Sequence, residues 1–232
     1  MKILNPHYQL HFAFDGSEGI QKAIELVPDI IISDVIMPKK DGYQVTHQLK
    51  ENQRTSHIPI TLLTAKSSQE DKNDGLLSGA DYYLLKPFDK EELLIRLANI
   101  SRQNQVLIDK FQAGYFDEKE FSNEENSKEH MFLQLIKTHL LEQISDPEFG
   151  VKEIGELMGL NKNQFYRKLK AITGQSPTNF IRDLRLAEAQ KLLENSDMNV
   201  SEIAYKIGYN DPNYFTRLFQ KKYGIPPSKF NR

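Results

Sequence analysis

The stretch "IISDVIMPKKDG", residues 31–42, places an acidic side chain at the end of an apolar run. Asp34 follows Ser33 and three isoleucines, and a turn rich in proline and glycine comes directly after it. A carboxylate at the end of a buried strand is either a functional group, such as a nucleophile, or a solvated strand end or helix cap. Asp34 alone leaves both interpretations open, so the rest of the chain must decide between them.

A second set of side chains recurs in two similar stretches, "VKEIGELMGLNKNQFYRKLKAITGQSP" and "VSEIAYKIGYNDPNYFTRLFQKKYGIPP", which begin 49 residues apart. Each has the order helix, glycine, short polar turn and helix, which is the signature of a helix-turn-helix motif. Asn163 and Asn213 take matched positions in the two second helices, as do Arg167 and Arg217. Arginine and asparagine bind guanine and adenine edges through paired hydrogen bonds. The repeat therefore predicts a DNA-binding surface, with a solvated helix face as the alternative.

Helical spacing divides each of these second helices into an apolar and a polar face. In the first, Phe165 and Leu169 predict the inward face. In the second, Phe215, Leu218 and Phe219 predict it. The side chains predicted to point away are Asn163, Gln164, Arg167, Asn213, Thr216 and Arg217.

Charge is distributed unevenly along the 232 residues. Residues 1–130 hold 15 Lys and Arg against 21 Asp and Glu, whereas residues 131–232 hold 15 against 11, so the net charge of −2 divides into −6 and +4. A basic segment permits a nucleic-acid partner. The lack of cysteine excludes disulfides and thiolate zinc sites, and the six histidines lack metal-ligand spacing, so no structural metal is expected. No apolar run is long enough for a membrane span, which predicts a cytoplasmic chain.

The first hundred residues alternate short apolar runs with helical stretches, from "YQLHFAF" and "SEGIQKAIELV", through the helical "QEDKNDGLLSGA", to "DYYLLKPF" and "KEELLIRLANI". Ile30–Ile32 and Ile60–Leu63 lack a polar alternate, as expected of parallel strands buried on both faces. The predicted class is α/β, doubly wound around a parallel sheet, with function at the carboxyl ends of the strands.

The remainder of the chain has helical patterns. After Leu97 the sequence becomes polar and predicts a helix that runs into an acidic linker. From Met131 onward about seven short helices are predicted, forming an all-α domain. Their starts are marked by capping residues and prolines at Asp146-Pro147, Asn161, Ser176-Pro177, Asn199 and Asp211-Pro212. The predicted divisions are an α/β domain over 1–100, a linker over 101–130 and the all-α domain over 131–232.

Residues 131–232 resemble an AraC-type DNA-binding domain over their whole length, through "TNFIRDLRLAEAQKLLENSDMNVSEIAYKIGY" and the ending "YFTRLFQKKYGIPPSKFNR". The resemblance implies two helix-turn-helix motifs joined by a long helix, here about Pro177–Glu194, with both recognition helices in successive major grooves. Arg167 and Arg217 are expected to contact bases, and the lysines to contact phosphates. The full set of expected DNA-contacting residues is Asn163, Gln164, Tyr166, Arg167, Lys168, Lys170, Asn213, Thr216, Arg217, Lys221 and Lys222.

Residues 8–100 resemble the receiver domain of a two-component response regulator, through "IISDVIMP", "LLTAK" and "LLKPF". The resemblance implies that Asp34 accepts a phosphoryl group from a histidine kinase. It also implies that the Thr64 hydroxyl binds this group and that the Lys86 ammonium neutralises it, with a cis bond to Pro87. Tyr83 is expected to be the aromatic residue of the switch. The chemistry is consistent, because the added phosphoryl charge needs such donors nearby.

The resemblance to receivers is incomplete at its start. Complete receivers begin with a central strand that ends in two acids holding Mg²⁺, and that strand is missing here, so the flavodoxin-like sheet is expected to have a gap. The metal site is then reduced to Asp34 and the carbonyl of Ile36, and no tightly bound Mg²⁺ is expected. The order of receiver, acidic linker and AraC-type domain resembles the C-terminal end of hybrid two-component sensors. The chain is therefore expected to be a fragment of such a protein, a late-starting reading frame or a degenerate receiver.

The predicted function is a sequence-specific DNA-binding transcription regulator, not an enzyme, which serves as the output of a two-component phosphorelay. Its expected partners are double-stranded DNA, a histidine kinase and a second copy in a homodimer. One alternative is a degenerate receiver that binds a partner protein through its exposed sheet edge without phosphorylation. Another is an aspartyl-phosphate hydrolase with Asp34 as nucleophile. The hydrolase is disfavoured because these enzymes resemble one another in a second Asp two residues on, where Ile36 stands.

Overall fold

A computed structural model describes residues 8–65, 79–114 and 127–230 of the protein. The chain forms two compact units, one made essentially of residues up to Gln112 and the other essentially of residues beyond it. We refer to them as the N-terminal domain and the C-terminal domain.

The N-terminal domain is a parallel sheet with helices. Its described elements are α1 (Gly16–Leu26), β1 (Ile31–Asp34), α2 (Gly42–Glu51), β2 (Ile60–Thr64), β3 (Tyr82–Leu85) and α3 (Lys90–Gly114). The three strands pair in parallel in the order β1-β2-β3. The α/β class with a parallel sheet is thereby confirmed.

The strand predicted in "YQLHFAF" is not formed, and this prediction is wrong. The described residues before α1 contain no strand, and Phe12 and Phe14 are 42% and 86% exposed. The physical reason is that the described residues contain no strand beside this segment, and a strand obtains its backbone hydrogen bonds only from a neighbour. The helix predicted in "QEDKNDGLLSGA" falls mainly on residues 66–78, which lie outside the described part of the chain.

Helices α1 and α2 begin at aspartates that cap them. The side chain of Asp15 accepts a hydrogen bond from the Glu18 amide at 2.9 Å, and that of Asp41 accepts one from the Gln44 amide at 2.8 Å. Such caps satisfy amide groups that have no partner within the helix. Apolar residues of both helices then pack with the sheet in one buried cluster, formed by Ile20, Ala23, Val45, Leu49 and Ile60.

The C-terminal domain is all-α in its described part. Its elements are α4 (Lys128–Glu142), α5 (Val151–Leu157), α6 (Lys162–Thr173), α7 (Pro177–Asn195), α8 (Val200–Lys206), α9 (Pro212–Tyr223) and a 3-10 turn (Pro227–Lys229). The helix starts predicted from Asn161 onward are confirmed. The start predicted at Asp146-Pro147 is wrong, because α5 begins at Val151 and the preceding carbonyls bond to a side chain of α7.

Two helix-turn-helix motifs are present, α5–α6 and α8–α9, and α7 joins them. We call them the first and the second motif. Phe165, Leu169, Phe215 and Phe219 are each 0% exposed, which confirms the inward faces predicted for these residues. Phe219 lies at the centre of an aromatic cluster, with ring centroids 5.7 Å from Phe215 and 5.4 Å from Phe230. The second helices of the two motifs, α6 and α9, which we call the recognition helices, are thus held by their inner faces, and their outer faces remain free of these core contacts.

Candidate phosphoacceptor site and nucleic-acid interface

The carboxyl ends of the three strands bring Asp34, Thr64 and Lys86 to one edge of the sheet. Asp34 is the last residue of β1, Thr64 is the last of β2, and Lys86 follows β3 directly. The Lys86 ammonium forms an ion pair with the Asp34 carboxylate. The Lys86 amide also donates to the Thr64 carbonyl at 2.7 Å, which continues the pairing of β2 with β3 beyond the last strand residue.

The turn after β1 holds Asp34 in place. The Gly42 amide donates to the Val35 carbonyl at 2.9 Å, and a β-carbon at Gly42 would lie 2.4 Å from the Asp34 carbonyl oxygen. A side chain at this position would therefore displace the end of β1. The Ile36 amide donates to the Asp34 carboxylate at 3.3 Å, and the Lys86-Pro87 bond is cis, as expected.

The other two predicted residues of this site are less accessible. Thr64, the last residue of β2, is 8% exposed, so its side chain is largely buried. Tyr83 lies on β3 opposite Leu62, and its hydroxyl is buried. The role of Tyr83 in switching stays a prediction.

The donors that the structure describes at this edge do not fit a tightly held Mg²⁺, which favours six oxygen ligands in near-ideal geometry. Asp34 supplies one carboxylate, and that group is ion-paired with Lys86. Asp15 caps α1 and lies 2.6 Å from the Lys39 ammonium, and this contact with Lys39 lowers the pKa of Asp15. The described residues contain no group of three or more His, Cys, Asp or Glu side chains that could hold a metal ion.

The outer faces of α6 and α9 present the residue types expected to contact DNA. Asn163 and Arg167 on α6 are exposed, as are Asn213 and Arg217 on α9. The other predicted residues that are exposed on these helices are Tyr166, Lys170 and Lys221. Thr216 is half-buried, and its hydroxyl donates to the Pro212 carbonyl at 2.9 Å.

Three predicted DNA contacts are corrected by the structure. Gln164 is 5% exposed, and its side-chain oxygen accepts from the Asn161 amide at 3.1 Å, so it serves as part of the helix cap. Lys168 is 1% exposed, with its ammonium 4.4 Å from the centre of the Phe132 ring, so it cannot reach a phosphate. The half-buried Lys222 ammonium donates to the Asp183 carbonyl at 3.2 Å, so it bonds to the protein itself rather than to a phosphate.

Tyr214 was missed by sequence reasoning. It is 48% exposed on α9, and its ring lies 5.9 Å from the Arg217 guanidinium. Tyr166 is similarly 42% exposed on α6, and its ring lies 5.7 Å from the Lys170 ammonium. An exposed ring beside a cation on each recognition helix adds a surface that can contact the sugar or the thymine methyl group.

Both motifs turn between their helices at a glycine in the left-handed region. Gly159 has φ +65° and Gly208 has φ +81°. The Gly159 amide donates to the Glu156 carbonyl at 3.0 Å, and the Gly208 amide donates to the Tyr205 carbonyl at 3.1 Å. The repeat read from the sequence therefore corresponds to the same helix ending in both motifs.

Two family models match the chain. The one described as "Response regulator receiver domain" matches residues 2–98, and the one described as "Helix-turn-helix domain" matches residues 154–232. The chain joins a response regulator receiver domain to an AraC-type helix-turn-helix domain. This pair of domains is typical of transcription regulators.

Relatives and solved structures resemble parts of these domains. "Histidine kinase P4" of Formosa agariphila is 35% identical over 231 residues, which are 98% of this chain and 17% of that protein. The "DNA-binding dual master transcriptional regulator RpaA" of Synechocystis is 44% identical over 96 residues, 41% of this chain and 40% of that protein. One similar solved structure is the receiver domain of sensor histidine kinase PA1611 from Pseudomonas aeruginosa, which has a magnesium ion in its active site cleft. It is 30% identical, with a TM-score of 0.41, and the match covers 43% of this chain and 84% of that one. The chain thus spans less than half of either relative's length. Among its described helices, none is both long and apolar enough to cross a membrane.

The two turn glycines of the AraC-type domain give a matched test. Gly159→Ala is expected to lower the free energy of unfolding by about 1–2 kcal/mol, which is the cost of a left-handed alanine. Among the described residues beyond its chain neighbours, no atom lies within 4 Å of the added β-carbon. Gly208→Ala is expected to cost about 1–3 kcal/mol more, because its β-carbon would lie 1.7 Å from the Arg185 guanidinium. Urea unfolding followed by circular dichroism measures both. Equal losses would contradict the close packing at Gly208.

The burial of Lys168 is expected to make the stability of the AraC-type domain depend on pH. Burial lowers the pKa of Lys168 from 10.5 to about 8, against the opposing charge of Glu129. Between these values the unfolded chain keeps a proton that the folded chain has lost, so the free energy of unfolding rises with pH by on the order of 3 kcal/mol across this window. We expect Lys168→Met to lack this rise. Urea unfolding of both proteins at pH 7 and pH 10 isolates the effect as a difference, and equal pH dependence in the two would contradict it.

Proposed function

We propose that this chain is the sequence-specific DNA-binding output of a two-component phosphorelay. The observation that carries the proposal is the pair of helix-turn-helix motifs, whose exposed faces carry Asn163 and Arg167 in one and Asn213 and Arg217 in the other. Arginine and asparagine at matched, exposed positions suit the reading of base edges in the major groove. The proposal implies a cytoplasmic location, because the DNA that it regulates lies there.

The charge of the C-terminal part supports binding to duplex DNA. Residues 131–232 carry a net +4, and Lys170 and Lys221 remain exposed on the recognition helices. Lysines at such positions bind phosphates and release counterions, so the affinity should fall as salt rises. Measuring binding to a selected and a random duplex at two salt concentrations tests the proposal. Equal affinity for both duplexes would contradict sequence specificity.

Both motifs of one chain are expected to bind the same DNA face together. Successive major grooves on one face are about 34 Å apart, so footprinting should show two protected segments roughly one helical turn apart for each chain. A homodimer, which we also propose, would protect two such pairs. A single short protected segment would show that one motif has only a structural role.

The receiver domain is proposed to connect this output to a histidine kinase. Asp34 takes the acceptor position at the strand ends, and Lys86 is already in contact with its carboxylate. Thr64 ends the intervening strand, and in this proposal its hydroxyl binds a phosphoryl oxygen. If a longer form of the protein accepts phosphate, the Asp34→Asn substitution should abolish its phosphorylation.

We also propose a second candidate function, which starts from one observation. β1 ends the described three-stranded sheet, so its outer edge can accept a strand from a partner. In this case the receiver acts as an interaction module that needs no phosphate. Binding of a partner protein that is unchanged by Asp34→Asn would favour this alternative over the phosphorelay.

A further inference from the structure

Arg185 lies in the interior of the AraC-type domain, 6% exposed on α7, and its two terminal nitrogens donate to four backbone carbonyls. Nη1 donates to Ile144 at 3.0 Å and to Ile207 at 2.6 Å. Nη2 donates to Asp146 at 2.8 Å and to Phe149 at 3.0 Å. All four hydrogens on these nitrogens are thus used, which is how a buried guanidinium remains compatible with the interior.

Three of the four carbonyls lie just before the first DNA-binding motif, and the fourth lies within the second. Ile144, Asp146 and Phe149 lie in the segment that leads from α4 into the first motif, which begins at Val151. Ile207 is the C-terminal cap of α8, the first helix of the second motif. One side chain on the joining helix therefore bonds to the backbone at the entrance of one motif and at the turn of the other.

We propose that Arg185 is a positioning residue that fixes the two helix-turn-helix motifs relative to each other, so that α6 and α9 can occupy two grooves of one duplex. The inference rests on the proposed DNA-binding function. Arg185 contacts no DNA in this proposal, because the four hydrogens of its terminal nitrogens bond to the protein's own backbone.

The chemistry of the side chain explains why arginine suits this position. The planar guanidinium presents fixed donors in a fork, so it holds four acceptors at set directions. Lysine offers three donors from a single atom and cannot reproduce that geometry. Gly208 supplies the space, because a β-carbon there would lie 1.7 Å from Nη1 of Arg185 and 2.5 Å from the Ile144 carbonyl oxygen.

The expected consequence concerns the joint binding of the two motifs. When two binding elements are held at the correct spacing, the second binds as if at a high local concentration, which multiplies the affinity. Loss of the Arg185 contacts should leave each motif able to bind its own half of the site. The gain from having both halves on one duplex should fall by at least about tenfold.

The experiment uses the full 232-residue chain and a DNA site selected with the wild type from random duplexes. Affinity is measured for the intact site and for versions in which one or the other half is scrambled. The variants are Arg185→Met and Arg185→Lys. Lys191→Met is the control, because it removes one positive charge from an exposed position on the same helix. Circular dichroism checks the folding of each protein.

We expect folded Arg185 variants to bind each half-site as the wild type does but to lose at least about tenfold on the intact site, while Lys191→Met retains the full gain. If Arg185→Met does not fold, the gain in affinity on the intact site is judged from Arg185→Lys. An unchanged gain in the folded variants, or failure of both variants to fold, overturns the inference, because Arg185 would then serve stability alone. If the wild type selects no two-part site, the proposed function fails before any variant is compared, and the inference fails with it.

Discussion

Replacing Arg217 with alanine is expected to weaken binding to the selected DNA site by about 5- to 150-fold, that is by about 1–3 kcal/mol. Arg217 lies on the exposed face of α9, opposite the buried Phe215 and Phe219. A guanidinium there can donate two hydrogen bonds to one guanine, and its removal leaves those base acceptors without their partner. Arg167→Ala on α6 should have an effect of similar size.

A base contact and a phosphate contact are distinguished by Lys221→Ala. Lys221 is also exposed on α9, four residues after Arg217. Its removal should weaken binding to selected and random duplexes alike, and should reduce the slope of log affinity against log salt by about 1. Arg217→Ala should instead reduce the difference between the two duplexes. Equal losses on both duplexes for Arg217→Ala would show that Arg217 contacts only the phosphate backbone.

The faces of the recognition helices were largely predictable from the sequence, because helical spacing depends on local geometry. Phe165 and Phe215 are buried, and Arg167 and Arg217, two residues further along each helix, are exposed. The capping role of Gln164 also had a local signal, since a cap residue followed three positions later by Gln is a capping box, and Asn161 precedes Gln164 by three.

No local sequence pattern indicated that Lys168 is buried. Its matched position in the second motif is Leu218, so the position is apolar in one motif and basic in the other. Whether a lysine there is buried depends on what covers it, and the cover is Phe132 on α4, a helix that is distant in sequence. The contacts of Arg185 are equally non-local, since they join residues between 22 and 41 positions apart.

The N-terminal domain also shows that a local sequence pattern does not determine a structure that depends on distant residues. The local apolar pattern of Tyr8–Phe14 suits a strand, but the segment is not one, because strand formation depends on a neighbouring strand and none of the described strands pairs with it. The ends of β1 and β3 were predictable, and the parallel pairing brings Asp34 and Lys86 into contact. The parallel strands do not supply the two acids that complete receivers carry beside the acceptor.

We therefore expect the 232-residue chain to be phosphorylated at Asp34 poorly or not at all. Transfer of a phosphoryl group to a carboxylate brings two anions together, and this repulsion must be offset by cations. Lys86 supplies one positive charge, but the described donors at this edge do not fit a tightly held Mg²⁺, since one carboxylate gives it too few oxygen ligands. In the described sheet β1 has a paired strand on one side only, which leaves the acceptor end of the sheet less firmly held.

Incubation of the chain with a small phosphodonor and Mg²⁺, followed by intact-mass analysis, measures this directly. The matched control is a chimera in which the first strand and helix of a complete receiver, with its two acids, are joined ahead of Met1. Asp34→Asn in both proteins identifies the modified residue. We expect the phosphorylated mass from the chimera alone and its loss with Asp34→Asn. Stoichiometric, Mg²⁺-dependent phosphorylation of the unextended chain at Asp34 would show that Lys86 and Thr64 suffice, and that the acids of the missing strand are not needed for transfer.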